Sequence, residues 1–376
     1  MADTQYNLND PETVKLWSRK LDREALKRTY MKRFMGEGSS SMITIKNETN
    51  KSAGDRIRVT LRKQMKGRGV IGDATLEGNE ESLSTFTQDL VINQLRHAGR
   101  SDGAMTEQRV TFNLRDECMQ GLADWWAERW DIWGFYHLAG YVPGNTTGVA
   151  SADTDATGSE YNAHNTITAP TRHVFAGSSN TTDSNLTTSD VFSLVMIDKA
   201  VENAKVAQTG TGKNPIRPLM VEGKPYFVAF LHPYQVTDLR IKTTADASHP
   251  VLWYDIHKAT LQGGRFDNPI FNGALGEYNG VILHESTHVP PGASGSSAVA
   301  NTRRAILCGA QAAVAGFGMG HDKSTYDWFE QRFDYGNKLG VKAGCISGLK
   351  KSTYTEGASD HDFATVVMST YAAAHT

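Results

Sequence analysis

Cysteine is scarce in this chain of 376 residues: Cys118, Cys308 and Cys345 are odd in number and far apart. That excludes a disulfide framework and a cysteine-based metal spacing, and it reads as reduced thiols in a protein made in a cytoplasm. Nowhere do about 18 apolar residues run together, so no segment suits a membrane-spanning helix. The opening MADTQYNLNDPETVKLW lacks the apolar stretch of a secretory leader. An excess of charge of one sign is missing as well. With 39 Lys and Arg against 41 Asp and Glu the formal net charge is −2, which argues against a dedicated nucleic-acid binder. No period of about 20–50 residues recurs, so repeat architectures are excluded.

What is present suits a globular chain with one large core or a few smaller ones. Residues 11–35 form a basic segment of helical character, in which eight Lys and Arg face three Asp and Glu. Its apolar positions are too sparse for a core of its own, so it reads as an arm that packs on something else. From Arg56 to Arg62 the alternation of Ile57, Val59 and Leu61 with charged or polar residues predicts a half-exposed strand. Phe86 to Arg96 is a second strand-like run. Between them lies a glycine-studded stretch whose two sides carry opposite charge. Arg62, Lys63, Lys66 and Arg68 stand on one side, Asp73, Glu77, Glu80 and Glu81 on the other. A two-stranded ribbon is marginal in water by itself, so a long, charged hairpin of this kind makes sense when another chain completes it.

Thr111 to Gly140 predicts a long amphipathic helix, with Asn113 as N-cap and Gly140 as stop. Four tryptophans fall in nine residues there, at a helical spacing that favours packing over a ligand-stacking platform. Residues 141–190, rich in Thr, Ser, Asn, Gly and Ala, read as an extended surface excursion. Helix returns at Asp190 to Ala207, capped by Ser189 or Asp190. A hairpin turning at Glu222 to Lys224 follows, then two short helices in HPYQVTDLR and LWYDIHKATL. Strands resume at GVILHES, RRAILCG, GVKAGCISGLK and FATVVMS. Helices mixed with short antiparallel strands, without a βαβ rhythm, give an α+β class.

Two motifs suggest chemistry. HESTH, residues 284–288, matches the zinc-protease signature, which needs a helix to put both histidines on one face around a general-base Glu. Here Val281 and Ile282 precede it and Pro290 and Pro291 follow, which favours a strand. In a strand the two imidazoles would stand about 13 Å apart. One zinc with Zn–N bonds of about 2.1 Å cannot hold both. A third ligand is missing, and His321 has only its identity to recommend it. QTGTGKNP, residues 208–215, imitates a phosphate-binding loop. Ala207 stands where its first Gly belongs, Asn214 replaces its hydroxyl residue, and Pro215 opposes the helix start it needs. No G-x-S-x-G elbow occurs. The rival readings are therefore a zinc metallopeptidase, a carbohydrate- or nucleic-acid-binding module on the tryptophans, and an assembling structural protein.

The blocks LDREALKRTYMKRFMGEG, GVIGDATLEGNEESL, QLRHAGRSDGAMTEQRVTFNLRDE, LADWWAERWD, FLHPYQVTDLR, NPIFNGALGEYNGVILHES, LCGAQAAVAGFG and FDYGNKLGVKAGCISGLKK decide between them. In this order, from about Leu21 to about Val367, the chain resembles the major capsid proteins of tailed bacteriophages. The resemblance implies the Hong Kong ninety-seven type (HK97-like) capsid fold, no catalytic, metal or cofactor site, and no membrane. It implies an N-terminal arm at 1–50 and an extended E-loop at 51–98. A P domain at 99–214 would hold a spine helix (111–140) and the polar excursion (141–190). An A domain would take about 215–320, with 321–376 returning to the P domain. By the same resemblance the partners are copies of the chain in hexamers and pentamers, portal and scaffolding proteins, a decoration protein, and packaged double-stranded DNA on the inner face. The chain would reside in the virion after assembly in the host cytoplasm. The eight charged residues of the hairpin are then expected at contacts between subunits.

Overall fold

In a computed structural model the described residues are 21, 24–25, 29–46, 54–62, 68–81, 85–109, 113–142, 162–177, 179–206, 214–221, 223–241, 274–294, 297–318, 325–356 and 359–375. The centre of the molecule is one helix, Leu114–Ala139. Asn113 caps it as its spacing predicts, its side chain accepting the Arg115 N–H at 3.0 Å. Gly140 ends it in the left-handed conformation at φ 63°, where a Cβ would run into Thr168 and Pro170. Asp116 and Glu117 in the first turn and His137 in the last suit the ends of the helix dipole.

The helix is amphipathic only in its first half. Glu128 is its last exposed residue, and from Arg129 onward every position is buried or half-buried. The expectation of one wet face fails there because the helix packs against strands of two sheets. Trp126, Trp130 and Trp133 are buried in this layer, and Trp125 is half-buried. Each of the three buried indoles contributes on the order of 3 kcal/mol or more through packing. The Trp130 indole N–H is satisfied by the Tyr326 hydroxyl at 3.0 Å.

The first sheet has six strands, with Lys338–Lys351 as its long axis. Asn93–Arg100 pairs antiparallel along one edge of that strand; Tyr326–Phe333 and then Ala313–Phe317 pair along the other. Ile43–Lys46 joins Ala313–Phe317 in parallel, and the two-residue strand Met35–Gly36 closes the edge. The second sheet has eight strands and is built around Ser297–Cys308, which lies antiparallel to Thr365–Tyr371 and Lys224–Leu231. Val281–Glu285 runs parallel to Lys224–Leu231, and His173–Phe175 runs parallel to Thr365–Tyr371. The class is α+β as expected, but the sheets are mixed and not purely antiparallel, and the strands are not all short. Lys338–Lys351 spans 14 residues.

Two further readings change. The second half of the 141–190 segment is not a surface excursion: from residue 162 on it supplies the buried Asn165, Ile167, Arg172, Ala176, Asp183 and Leu186 and one strand of the second sheet. Its polar composition is used inside, where Arg172 donates to the carbonyls of Asn203 and Asn214. Residues 143–161 lie outside the described residues. The following helix, Leu194–Lys205, begins after Ser193; Asp190 instead closes a turn, accepting from Thr187 and Asn180. Where it is described, the arm segment packs on the rest of the chain, as its sparse apolar positions suggested. Leu21, Ala25, Met31 and Phe34 are buried in the main core, and Asp131 of the long helix accepts the Tyr30 and Met31 N–H groups at 2.9 and 2.8 Å. The helix expected in LWYDIHKATL and the loop 207–213 lie outside the described residues.

Candidate assembly surfaces

The zinc-protease signature fails on geometry. Val281–Glu285 is a strand, so the helical spacing the motif requires does not arise. His284 is buried with its ring 5.2 Å from Phe34 and 6.0 Å from Phe230. His288 follows in a turn beyond the strand, stacked on Phe135 at 6.1 Å, and Glu285 points to solvent. Both histidines serve as aromatic packing. Among the described residues no group of three or more His, Cys, Asp or Glu side chains could hold a metal; His321 is not among them.

A serine, a histidine and an aspartate do meet elsewhere, at Ser369, His173 and Asp183. The same ring nitrogen, Nε2 of His173, lies 2.6 Å from the Ser369 hydroxyl and 3.8 Å from Asp183. A nucleophile triad uses opposite nitrogens of the ring for its two partners. Burial also holds His173 down at about 4, and the site has no open face. This is core structure. The tryptophans offer no ligand platform either: Trp125, the half-buried one, is covered by His97 stacked at 4.5 Å and by the Arg129 guanidinium at 4.8 Å.

What remains outward is the hairpin. Arg56–Arg62 keeps its expected bounds, whereas the run Phe86 to Arg96 divides at Ile92: Thr85–Val91 pairs antiparallel with Arg56–Arg62, and the rest belongs to Asn93–Arg100 of the first sheet. The inner face of the hairpin pair buries Ile57, Val59, Leu90 and Ile92 against Val314 and Ile346 of the first sheet. Glycine makes the seating possible. A Cβ on Gly316 would lie 2.6 Å from Ile57 and 2.8 Å from Leu90, and one on Gly348 would collide with the Val91 carbonyl. Asn165 fastens the same point, accepting the Val91 N–H and donating to its carbonyl, both at 2.9 Å. On the outer face Arg58 and Asp89 pair across the strands at 2.9 Å.

Beyond the paired strands the chain leaves the body. Every residue of 68–81 is exposed except the half-buried Val70, and Ile71 and Leu76 are 90% and 58% exposed. Arg68, Asp73, Glu77, Glu80 and Glu81 all lie on this exposed stretch; Arg62 ends the first strand, and Lys63 and Lys66 fall outside the described residues. Local turns shape the tip: Gly78 N–H donates to Glu80 at 2.7 Å, and the Asn79 amide donates to the Thr75 carbonyl.

Sequence reading missed the buried ion pairs. Lys351 and Asp362 meet at 2.6 Å, almost fully buried, and Asp362 also accepts the Thr171 N–H. The one hint was RRAILCG, two arginines leading an apolar strand. It also missed the exposed Phe329 and Phe333, signalled by apolar residues alternating with polar ones in YDWFEQRF.

The comparisons with known proteins agree with a protruding ribbon and with described residues that assemble no catalytic centre. The family described as phage capsid protein matches residues 5–374. The major capsid protein of Pseudomonas phage KPP25 is 30% identical over 387 residues, covering 97% of this chain and 96% of that protein. Among solved structures, the capsid of Ralstonia phage GP4 superposes with a TM-score of 0.77 at 29% identity, covering 100% of both chains. The capsid asymmetric unit of cyanophage Pam1 shares the fold at a TM-score of 0.64 and 19% identity, over 100% of this chain and 95% of that one. The chain belongs to the phage capsid protein family, with an HK97-like fold and the structural, non-enzymatic work of a phage major capsid protein.

Proposed function

We propose that copies of this chain assemble as hexamers and pentamers into an icosahedral head around double-stranded DNA, with the 51–98 hairpin reaching across a neighbouring copy. The observation that carries this reading is the exposure of Ile71 and Leu76 on the 68–81 loop. A stable monomer gains nothing from holding two large aliphatic side chains in water, whereas burial against a neighbour contributes about 1.5–3 kcal/mol for each. Exposed ion pairs of the tip would add only about 0–1 kcal/mol apiece. Contacts of that strength, repeated over a shell, close it and still permit misplaced subunits to leave.

The long helix and the first sheet fit the expected P domain. Residues 215–320 supply six of the eight strands of the second sheet, in keeping with an A domain, although Ala313–Phe317 pairs into the first sheet. The arm would lie on the inner face toward the genome or a neighbour. The described part of it carries Lys32 and Arg33 exposed, which suits that role. Portal and scaffolding proteins, and a decoration protein on the outside, are the other partners of this reading, with assembly in the host cytoplasm.

Negative-stain microscopy of the purified chain tests the assembly: large closed particles are expected, and a uniform small monomer would refute it. Replacing Lys27, Arg28, Lys32 and Arg33 by Gln tests the arm. Impaired assembly or packaging is expected, and normal DNA-filled heads would remove the arm's assigned role.

A further inference from the structure

Helices Leu194–Lys205 and Pro233–Ile241, with the turn that leads into the first, line a cavity of about 550 Å³. Phe192, Val195 and Met196 give it apolar walls, with Ile241, 57% exposed, at its open edge. Three charged side chains share it: Asp190, Lys199 and Asp238. Asp190 already accepts from Thr187 and Asn180, and the exposed Lys199 ammonium lies 3.5 Å from the Gly177 carbonyl.

Asp238 is different. Its side chain is 6% exposed, Oδ1 meets His375 Nε2 at 3.0 Å, and Oδ2 has no hydrogen-bond partner among the described residues. A buried carboxylate with one oxygen left unmatched is costly, because it has given up water without full replacement. His375 is a loose partner for it. The Ala372 N–H still donates to the Asn301 carbonyl, whereas His375 beyond it is 37% exposed and brings one ring nitrogen to the pair. An ammonium brings three donors, enough for both oxygens, and its aliphatic stem suits the apolar walls.

We propose that this cavity binds an aliphatic ammonium group, with Asp238 as its counter-ion and His375 as the group it displaces. Two carboxylates against one lysine favour a cation over an anion, and Lys199 already lies beside a carbonyl. The chemistry is that of a lysine side chain on a second copy or of a free aliphatic amine. The inference stands apart from the reading of the hairpin.

Butylamine, a lysine side chain without its backbone, is the probe. Methyl NMR of unassembled subunits should show saturable shifts at Val195, Met196 and Ile241, and butanol and butyrate should produce none that saturate. Asp238→Asn should weaken butylamine binding about tenfold or more, since it removes the charge that the ammonium meets. His375→Ala should tighten it several-fold, which a purely structural histidine would not do. Absence of binding, equal binding of butanol, an affinity indifferent to Asp238→Asn, or no gain in His375→Ala would overturn the proposal. Should Asp238→Asn misfold by circular dichroism, Ile241→Lys decides. It changes an exposed position and sets a competing ammonium at the edge, so undiminished binding would refute the site. Assembled particles then identify the source. Particles that still take up butylamine assign the site to a free amine. Particles that exclude it, with Asp238→Asn lowering their yield, assign it to a lysine of a neighbouring copy. Particles that exclude it and assemble normally as Asp238→Asn would leave the cavity without a use and overturn the proposal.

Discussion

Arg304 donates to Asp183 at 2.6 Å with both side chains almost wholly buried, and the same guanidinium donates to the Gly140 carbonyl at 3.0 Å. One arginine of the second sheet thereby caps the C-terminal end of the long helix and anchors the segment after it. Asp183 in turn accepts the Ala293 N–H at 2.7 Å, so four stretches of chain converge on one ion pair.

Removing one member leaves the other charged and buried. Arg304→Leu is expected to destabilise the subunit by about 3–5 kcal/mol, with the double change Arg304→Leu, Asp183→Leu costing less than Arg304→Leu alone. Chemical unfolding of unassembled subunits measures both, with Asp183→Leu alone completing the cycle; a double variant that loses the sum of the two single losses would show that the pair is not coupled.

Gly348 decides whether the hairpin stays seated. Gly348→Ala puts a methyl against the Val91 carbonyl, and the strand pair Arg56–Arg62 and Thr85–Val91 should lift. Hydrogen exchange at Ile57, Val59 and Leu90 should accelerate about tenfold or more while the centre of the long helix keeps its protection. Unchanged exchange in the hairpin would contradict the seating described above.

Acid should weaken the subunit. Burial holds His137, His173 and His232 each down at about 4, below an ordinary histidine. Their folded forms therefore bind fewer protons than the unfolded chain, and stability falls as pH drops from about 6.5 toward 4, by on the order of a few kcal/mol per residue. Asp238 works the other way: burial raises it to about 6, so its favourable contribution is present in acid and is lost as pH rises through that value. Burial also raises Asp131, which acts in the same sense as Asp238, and lowers His97, which acts in the same sense as the other histidines; the histidines outweigh the two carboxylates, and thermal unfolding of unassembled subunits should occur at lower temperature at pH 4.5 than at pH 7. A flat profile would contradict the buried-histidine account.

The HESTH segment should be chemically silent. Glu285→Gln is expected to leave particle yield unchanged, and elemental analysis should find no stoichiometric zinc, because His284 and His288 face aromatic rings. Bound zinc in a one-to-one ratio, lost in His284→Ala, would reopen the metallopeptidase reading.

Local signals carried much of the fold. Asn113 and Gly140 marked the ends of the long helix because capping depends on a few adjacent atoms. Ile57, Val59 and Leu61 marked a strand because pleating alternates with period two. Pro290 and Pro291 ruled out a helical HESTH for the same kind of reason. Long-range pairing was not legible: nothing within VILHE says that it runs parallel to KPYFVAFL, since the segment joining them does not fix a direction. Composition misled at 162–190, where Arg172 and Asp183 look like surface residues until their partners at Asn203, Asn214 and Arg304 are known. The hairpin residues could be named from their charge, but the seat of its base on Gly316 and Gly348 depends on two distant strands meeting in register.

The most direct test of the whole account is the assembly of a chain lacking residues 68–81, followed by sedimentation and electron microscopy beside the intact protein. The account predicts a folded subunit, with a thermal transition close to that of the intact subunit, that forms no closed shells. Normal shells from the shortened chain would contradict it.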